Sequence, residues 1–529
     1  MVTQQTAGSA RRSRHFGQWL LIGFLLVLAS CTGVQLWRTA GLLRTDWDVG
    51  MTDGEQLIAS QRFARGGPIY VRIDRPPYTP ALYGPLFYIS LGTIDLAAKP
   101  PDLREFAFEG RTFIFACYLL IALVAWRLAR LTCGMDWPAL AAPLFILADR
   151  AYYPYAATLR PDIPALLFSL LGFFVICRDA DDPWPRVAGA GILMGLGFLF
   201  KQPFLAAPAA VFFWLIWKRH HRSAAVLTAA ALLPVIAVIG WLELGGEPVL
   251  YSLLMTRHTI YDIRGELVLI GDLLLGSPTA ILAVALGLAG LASLWKRDRE
   301  RALLLLLYLC FAAAVGLLTM AQVGAARYYL GEVLSLCAIL APAGLELWVE
   351  QLAASRPDMR LGSAILLLGI PCLSLATWWP APHPPDYQAL VSKLAGHRIL
   401  STVPLVAAQG KNPEMIDPWV NTLLERTGEW SPKPVLRQIR AEEFDYVVVS
   451  VRRSTHGPPV IPSSYRGVPR LSPPIMQQVR GSYRLAGACL NGAVVIFVPK
   501  KKLRGSQLAA RLAPVCGWSR ARFTPHNRP

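Results

Sequence analysis

Residues 112–129 read TFIFACYLLIALVAWRLA, an apolar run interrupted by a single charge at Arg127. A helix needs about 20 residues to cross the hydrocarbon core of a bilayer. Similar blocks recur along the chain, in which 54% of the 529 residues are hydrophobic and only 16% are charged. Soluble domains hold about a quarter charged residues. The sequence therefore predicts an α-helical polytopic membrane protein.

The first apolar block contains WLLIGFLLVLAS at 19–30 and continues past Cys31 to Leu36. LASC also matches a lipoprotein cleavage site, but the continuing apolar run favours a retained first span over cleavage. The other predicted spans lie near 112–129, 137–154, 163–177, 187–200, 203–217, 224–241, 272–294, 302–320, 329–349 and 362–379. Together these blocks predict about eleven spans. Gly191 and Gly195, four residues apart, predict close packing of one span against another.

The short segment 83–98, YGPLFYISLGTIDLAA, decides the predicted orientation. If it lies flat on the membrane, KRHHR at 218–222 and WKRDRER at 295–301 fall on the same side as the basic N-terminus. If it crosses, every later assignment inverts and the positive-inside rule fails. We therefore predict a multi-pass protein of the bacterial plasma (inner) membrane with a cytoplasmic N-terminus. Anchoring also explains the net charge of +18 without nucleic acid as a partner.

Two regions are predicted. Residues 1–379 form a transmembrane catalytic module, in which 37–110 is the first outer loop with juxtamembrane helices. Residues 380–529 form an extracytoplasmic α/β domain with a basic tail. Strand-like runs are RILSTV (398–403), FDYVVVSV (444–451) and GAVVIFVPKK (492–501), and DPWVNTLLERTGEW (417–430) is helix-like. Cys489 and Cys516 are the two cysteines placed to form a disulfide.

Several ionisable residues at the outer ends of spans are not explained by cytoplasmic anchoring. Ionisable groups at membrane depth are costly and usually line a cavity or pair with one another. Each has a structural alternative, since TDGE can cap a helix at Asp53, Arg160 can pair with Asp162, and Arg327 can reach headgroups. The candidate site residues are Asp53, Glu55, Arg111, Arg160, Asp162, Lys201, Arg327 and Glu332.

A pocket with acids on one wall and cations on the other suits sugar transfer from a lipid phosphate. A carboxylate takes a proton from the acceptor hydroxyl. Cations neutralise the charge that grows on the departing phosphate. The lipid bilayer, which holds the donor, is the reason for a site at the membrane surface.

At these residues the chain resembles the GT-C superfamily of membrane glycosyltransferases, over residues 15–350 and more loosely beyond. The branch is that of the protein O-mannosyltransferases, the lipid A aminoarabinose transferases and their uncharacterised bacterial relatives. The order and spacing of several motifs carry the resemblance. These are TDGEQLIASQRFARGGPIY (52–70), YGPLFYISLG (83–92), EGRTFIF (109–115), LRPD (159–162), FLFKQPF (198–204) and AQVGAARYYLGE (321–332).

The resemblance implies a polyprenyl-phosphate-linked sugar donor and an inverting single displacement on the outer face. By position it makes Asp53 the base and Glu55 the residue that orients acceptor or donor, and it adds Tyr328 to the substrate-binding set. Relatives often have adjacent acids, but here Gly54 separates them. Arg327 and Tyr328 stand where many relatives have Asn–Tyr. The acceptor is a hydroxyl of a protein, a lipid or a cell-wall glycan.

Two other function classes fit the same composition. A transporter or flippase of lipid-linked or envelope precursors would need charges or broken helices near mid-membrane and pseudo-repeats. A structural or assembly factor would tolerate loss of the outer acids. Asp53, Glu55 and Asp162 could hold a divalent ion through oxygen ligands, but the resemblance favours a reaction without a metal or other cofactor.

Overall fold

The structure is a computed structural model. It describes residues 2–45, 53–78, 80–133, 136–153, 155–178, 184–255, 260–354, 357–376, 387–410, 414–416, 420–450, 464–465, 468–469, 471–489, 494–501 and 503–512.

The N-terminal part of the chain is helical. Its helices are α1 (Val2–Leu43), α2 (Asp53–Ala64), α3 (Pro85–Ala98), α4 (Leu103–Thr132), α5 (Ala141–Ala148), α6 (Asp162–Cys177), α7 (Trp184–Phe200), α8 (Ala206–Trp217), α9 (His221–Leu244), α10 (Val249–Met255), α11 (Ile263–Gly276), α12 (Pro278–Arg297), α13 (Arg299–Met320), α14 (Gly331–Ala354) and α15 (Pro357–Ala376). Short 3-10 turns cover Pro138–Leu140, Tyr155–Ala157 and Arg327–Leu330.

Every predicted span overlaps with a helix of this part. Among the described residues, six helices are long and apolar enough to cross a membrane: Phe16–Leu43, Leu103–Thr132, His221–Leu244, Pro278–Arg297, Arg299–Met320 and Arg327–Leu352. Shorter apolar helices account for the other blocks, so the count of eleven stays a prediction. α1 continues through Cys31 to Leu43, and retention of this segment stays a prediction.

The predicted span 272–294 is broken in the structure. α11 ends at Gly276 and α12 begins at Pro278, because proline lacks the N–H that a continuous helix would use and fits the first helical turn. The predicted contact at Gly191 and Gly195 is confirmed. A Cβ at Gly195 would lie 2.2 Å from the carbonyl oxygen of Ala231, so α7 and α9 pack backbone to backbone.

The C-terminal part is a small α/β unit. Its helices are α16 (Gln388–Leu394), α17 (Pro404–Ala408), α18 (Val420–Arg426), α19 (Lys433–Arg440), α20 (Pro473–Ser482) and α21 (Leu503–Leu512). Its strands are β1 (Ile399–Ser401), β2 (Glu414–Met415), β3 (Tyr446–Ser450), β4 (Ser464–Tyr465), β5 (Val468–Pro469), β6 (Tyr483–Cys489) and β7 (Val494–Pro499). The main sheet has the order β2-β1-β3-β7-β6, and β4 and β5 form a separate pair.

The sheet confirms the three predicted strands. β1 is parallel to β2 and β3, whereas β7 is antiparallel to β3 and β6. β3 and β7 are apolar runs that are buried along their whole length, as expected of central strands with both faces covered. β6 was not predicted, because its sequence YRLAGAC is rich in small residues and its register shifts between Leu485 and Gly487. Cys489 is disulfide-bonded, and Cys516 lies outside the described residues.

The hydrophobic core of the C-terminal part includes residues from the segment between α2 and α3. Ile73 and Tyr78 are buried together with Trp430, Val435 and Ile439. Nε1 of Trp430 donates to the carbonyl oxygen of Ile73 at 2.8 Å. The boundary at residue 380 stays a prediction, but the packing crosses it.

Candidate active site

Asp53 is the first residue of α2, and its buried carboxylate is held from two sides. Nε and Nη2 of Arg111, in α4, donate to Oδ2 of Asp53 at 3.0 and 2.5 Å. The Leu159 N–H donates to Oδ1 at 2.9 Å. Arg111 is itself fully buried and donates to the carbonyl oxygen of Thr45 at 2.6 Å. Asp53 is therefore fixed between α4 and the loop that precedes α6.

The same loop carries the first of two cations. Arg160 follows Leu159, is 9% exposed, and donates through Nη1 to the hydroxyl oxygen of Tyr328. Its guanidinium lies 4.7 Å from the ring centroid of Tyr328 and 5.7 Å from that of Tyr155. Two aromatic faces thus stabilise this buried cation.

Lys201, just after α7, is the second cation. Its ammonium group pairs with Oδ1 of Asp162, at the start of α6. It also lies 4.0 Å from the ring centroid of Tyr329 and 5.1 Å from that of Tyr328. Arg160 and Asp162 therefore contact different partners, and the simple Arg160–Asp162 pair is not the arrangement found.

A small cavity lies beside Lys201. Oδ2 of Asp162 is buried and has no hydrogen-bond partner among the described residues. Glu332 accepts hydrogen bonds from Ser169 at 2.9 Å and from Tyr308 at 2.7 Å. The residues that line the cavity are Asp162, Lys201, Pro203, Phe204, Val315, Gly316, Thr319, Tyr328, Tyr329 and Glu332.

Glu55 is a second buried acid, and Tyr83 lies beside the Lys201 cation. Glu55 is 4% exposed, and its Oε2 lies 3.5 Å from Nε2 of Gln56. Burial raises the pKa of the Tyr83 hydroxyl well above its usual value, the nearby Arg160 cation lowers it, and Asp162 and Glu55 add to the rise. The ring centroid of Tyr83 lies 5.9 Å from Nζ of Lys201.

Arg327 points away from this group. Its Nη2 donates to the carbonyl oxygen of Tyr153 at 3.3 Å, and it is not among the residues that line the cavity. Its predicted contact with substrate stays a prediction. Tyr83, Tyr155 and Tyr329 were not among the candidate residues, although Tyr83 and Tyr329 belong to the motifs quoted above. A tyrosine carries no charge that would mark it as misplaced in a span, so only its position beside a cation identifies it.

No metal cluster is evident in the described ranges, where no three His, Cys, Asp or Glu side chains are grouped so that they could hold an ion. The expectation of a reaction without a metal stays a prediction.

Part of the chain matches a known protein family. The family model described as dolichyl-phosphate-mannose-protein mannosyltransferase matches residues 105–242, a segment that includes Arg111, Arg160, Asp162 and Lys201. No curated protein sequence matches the chain.

Solved structures match over nearly the whole chain. ArnT from Cupriavidus metallidurans in the apo state has 12% identity and a TM-score of 0.59, covering 91% of this chain and 98% of ArnT. ArnT bound to undecaprenyl phosphate has 13% identity and a TM-score of 0.57, covering 90% and 98%. The archaeal oligosaccharyltransferase AglB from Archaeoglobus fulgidus, in complex with an inhibitory peptide and a dolichol-phosphate, has 11% identity and a TM-score of 0.50, covering 89% and 79%.

These matches confirm the fold that the sequence predicted. The chain is a multi-pass membrane protein with an ArnT-like fold, and residues 105–242 are similar to the dolichyl-phosphate-mannose-protein mannosyltransferase family.

Proposed function

We propose that this protein is a membrane glycosyltransferase. It moves a sugar from a polyprenyl-phosphate-linked donor to an acceptor hydroxyl, on the outer face of the bacterial plasma membrane. One observation carries the proposal: the loop Leu159–Asp162 connects the buried acid Asp53 with both cations. A buried acid and two buried cations held around one loop are the arrangement that transfer from a lipid phosphate requires.

The reaction is a single inverting displacement. The acceptor O–H gives its proton to a carboxylate while its oxygen forms a bond to the anomeric carbon of the sugar. The bond between that carbon and the phosphate oxygen breaks, and its electron pair leaves with the polyprenyl phosphate. Lys201 and Arg160 neutralise the charge that appears on this phosphate, and their burial strengthens the effect.

The two acids have different surroundings, which support different roles. Arg111 and the Leu159 N–H hold the two carboxylate oxygens of Asp53 in place, as a base must be held. Glu55 lies two residues further along α2, near Tyr83 and Tyr88, where it can orient the sugar or the acceptor. We assign the proton transfer to Asp53 and the orientation to Glu55.

The lipid part of the donor has a place beside the cations. An apolar cavity of about 490 Å³ lies between α7, α8 and α9, and Phe198 and Leu205 in its lining flank the segment with Lys201. The ArnT structure with undecaprenyl phosphate and the AglB structure with dolichol-phosphate show that proteins of this fold hold such lipids. A polyprenyl chain in this cavity would bring its phosphate to Lys201.

The orientation follows from the charge distribution. The N-terminus is cytoplasmic, and the acids and the C-terminal part face outward, so that donor and acceptor meet outside. The acceptor hydroxyl belongs to a protein, a lipid or a cell-wall glycan.

A donor panel tests the function. Purified protein in lipid is offered labelled polyprenyl-phosphate sugars, and release of free polyprenyl phosphate is followed for the wild type and for Asp53→Asn. Turnover of one donor that is lost in the variant establishes the enzyme class and names the sugar. If no donor releases polyprenyl phosphate in a panel that works with ArnT from Cupriavidus metallidurans, the proposal is refuted and a transporter or flippase is favoured.

A further inference from the structure

Gly54 separates the two acids of α2 and lies directly against the C-terminal part of the chain. A Cβ built on Gly54 would be 2.1 Å from the carbonyl carbon of Pro404, 2.3 Å from the backbone nitrogen of Leu405 and 2.4 Å from the carbonyl oxygen of Pro404. All three atoms belong to the backbone, so no change of rotamer can relieve the overlap. Only glycine permits this contact.

The contact is part of a continuous apolar interface. Leu405 and Val406 of α17 are buried in the same core as Leu57 and Ala59 of α2. The first eight residues of α2, from Asp53 to Ser60, are all buried. α17 therefore packs along the half of α2 that bears the acids.

A second set of contacts fixes the 73–78 segment, between α2 and α3, to the same part of the chain. The Tyr78 hydroxyl donates to Oε1 of Gln438 at 2.7 Å, and Nδ2 of Asn421 donates to the carbonyl oxygen of Tyr78 at 3.4 Å. The Trp430 indole donates to Ile73 in the same segment. The C-terminal part thus cannot shift on α2 without also disturbing the 73–78 segment.

We propose that Gly54 is a positioning residue. The contact of α17 with Gly54 sets the position of Asp53 and Glu55. The inference rests on the proposed function for its catalytic consequence. Gly54 is the second residue of α2, and the close approach of the Pro404 backbone leaves no room there for a side chain. Carbon atoms approach to about 3.5–4.0 Å, so a methyl group at Gly54 would separate α2 from α17 by about 1 Å or more.

The decisive experiment compares Gly54→Ala with Gly189→Ala. Gly189 lies in α7, and no neighbouring atom lies within 4 Å of the position that a Cβ would take there, so its alanine variant controls for the general effect of the change. Gly54→Ala is expected to lower kcat about 100-fold, because displacement of a reacting group by 1 Å costs about that much. The donor KM and the affinity for polyprenyl phosphate stay within about twofold, because Lys201 follows α7 and is held by Asp162 and the rings of Tyr328 and Tyr329.

A second readout does not depend on turnover. In hydrogen exchange, Gly54→Ala should lose protection at 53–60 and at 404–408, whereas Gly189→Ala should not. If Gly54→Ala cannot be purified folded, Leu405→Ala replaces it, because it weakens the packing of α17 on α2 without adding volume. That variant should show the same split between kcat and KM, with a smaller loss.

The outcomes separate this inference from the proposed function. Wild-type kcat in folded Gly54→Ala, or equal loss of turnover and of donor binding, overturns the positioning role. If the wild type turns over no donor, the proposed function fails. Loss of exchange protection in Gly54→Ala would still support the contact between Gly54 and α17, and unchanged protection would refute it.

Discussion

Nε and Nη2 of Arg111 both donate to one carboxylate oxygen of Asp53, at 3.0 and 2.5 Å, and neither side chain is exposed. The two residues are 58 positions apart and belong to different helices. Removing two charges from water is costly, and the attraction between them offsets that cost only with close geometry. The pair therefore fixes α2 to α4.

This ion pair predicts that Asp53→Asn loses both transfer and stability. The variant should show no measurable turnover, because the amide cannot take a proton from the acceptor. Its apparent Tm should also fall, since removing one partner of a buried ion pair costs about 3–5 kcal/mol. Donor turnover and a thermal melt in detergent measure the two effects. Glu55→Gln is the matched control, with partial turnover expected, and residual transfer by Asp53→Asn would assign the proton transfer to Glu55 instead.

The pair between Lys201 and Asp162 predicts an effect on product release. A phosphate that arrives at Lys201 must compete with the Asp162 carboxylate. In Asp162→Asn that competitor is gone, so free polyprenyl phosphate should inhibit several-fold more strongly and kcat should fall. Product-inhibition constants measured for wild type, Asp162→Asn and Lys201→Gln check this. Lys201→Gln should be inhibited more weakly by free polyprenyl phosphate. Weaker inhibition of Asp162→Asn would show that Asp162 does not compete with the phosphate for Lys201.

Removing the hydroxyl of Tyr328 while keeping its ring should lower kcat/KM. Tyr328→Phe keeps the aromatic face beside Arg160 but removes the acceptor of the Arg160 hydrogen bond. We expect kcat/KM to fall about tenfold, since a hydrogen bond to a charged group contributes about 1.5–3 kcal/mol. Tyr329→Phe keeps the ring that lies against Lys201 and should change kcat/KM less than about threefold. Equal effects of the two variants would show that the Tyr328 hydroxyl has no special role.

Glu247 predicts how stability depends on pH. It lies between α9 and α10 and accepts a hydrogen bond from the Tyr70 N–H at 3.0 Å. Burial raises the pKa of Glu247, and the hydrogen bonds from Tyr70 and Ile69 and the charge of Arg62 only partly oppose this. An acid with a raised pKa in the folded state stabilises the fold when protonated, so this contribution is lost as pH rises through that pKa.

Glu247→Gln should remove that part of the pH dependence. The amide keeps an acceptor for Tyr70 and carries no charge, so the apparent Tm at neutral pH should rise slightly. Thermal melts of the wild type and Glu247→Gln from acidic to neutral pH measure the apparent Tm. Parallel curves for the two proteins would show that Glu247 does not titrate in this range.

The sequence by itself determined the membrane helices and the candidate residues. Whether a helix spans depends on local apolar length against bilayer thickness, so the blocks could be read residue by residue. Charged residues at the wrong ends of spans stood out for the same reason. Asp53, Glu55, Arg111, Lys201 and the LRPD loop were found in this way.

Only the tertiary structure decided which of these groups meet. Asp53 pairs with Arg111, Arg160 contacts Tyr328, and Arg327 points to Tyr153. The same holds for Gly54, which the sequence marked as a departure and the fold explains through Pro404, 350 positions away by their numbers. Such contacts depend on how helices and loops distant in sequence pack together. No local pattern of hydropathy or charge carries that information.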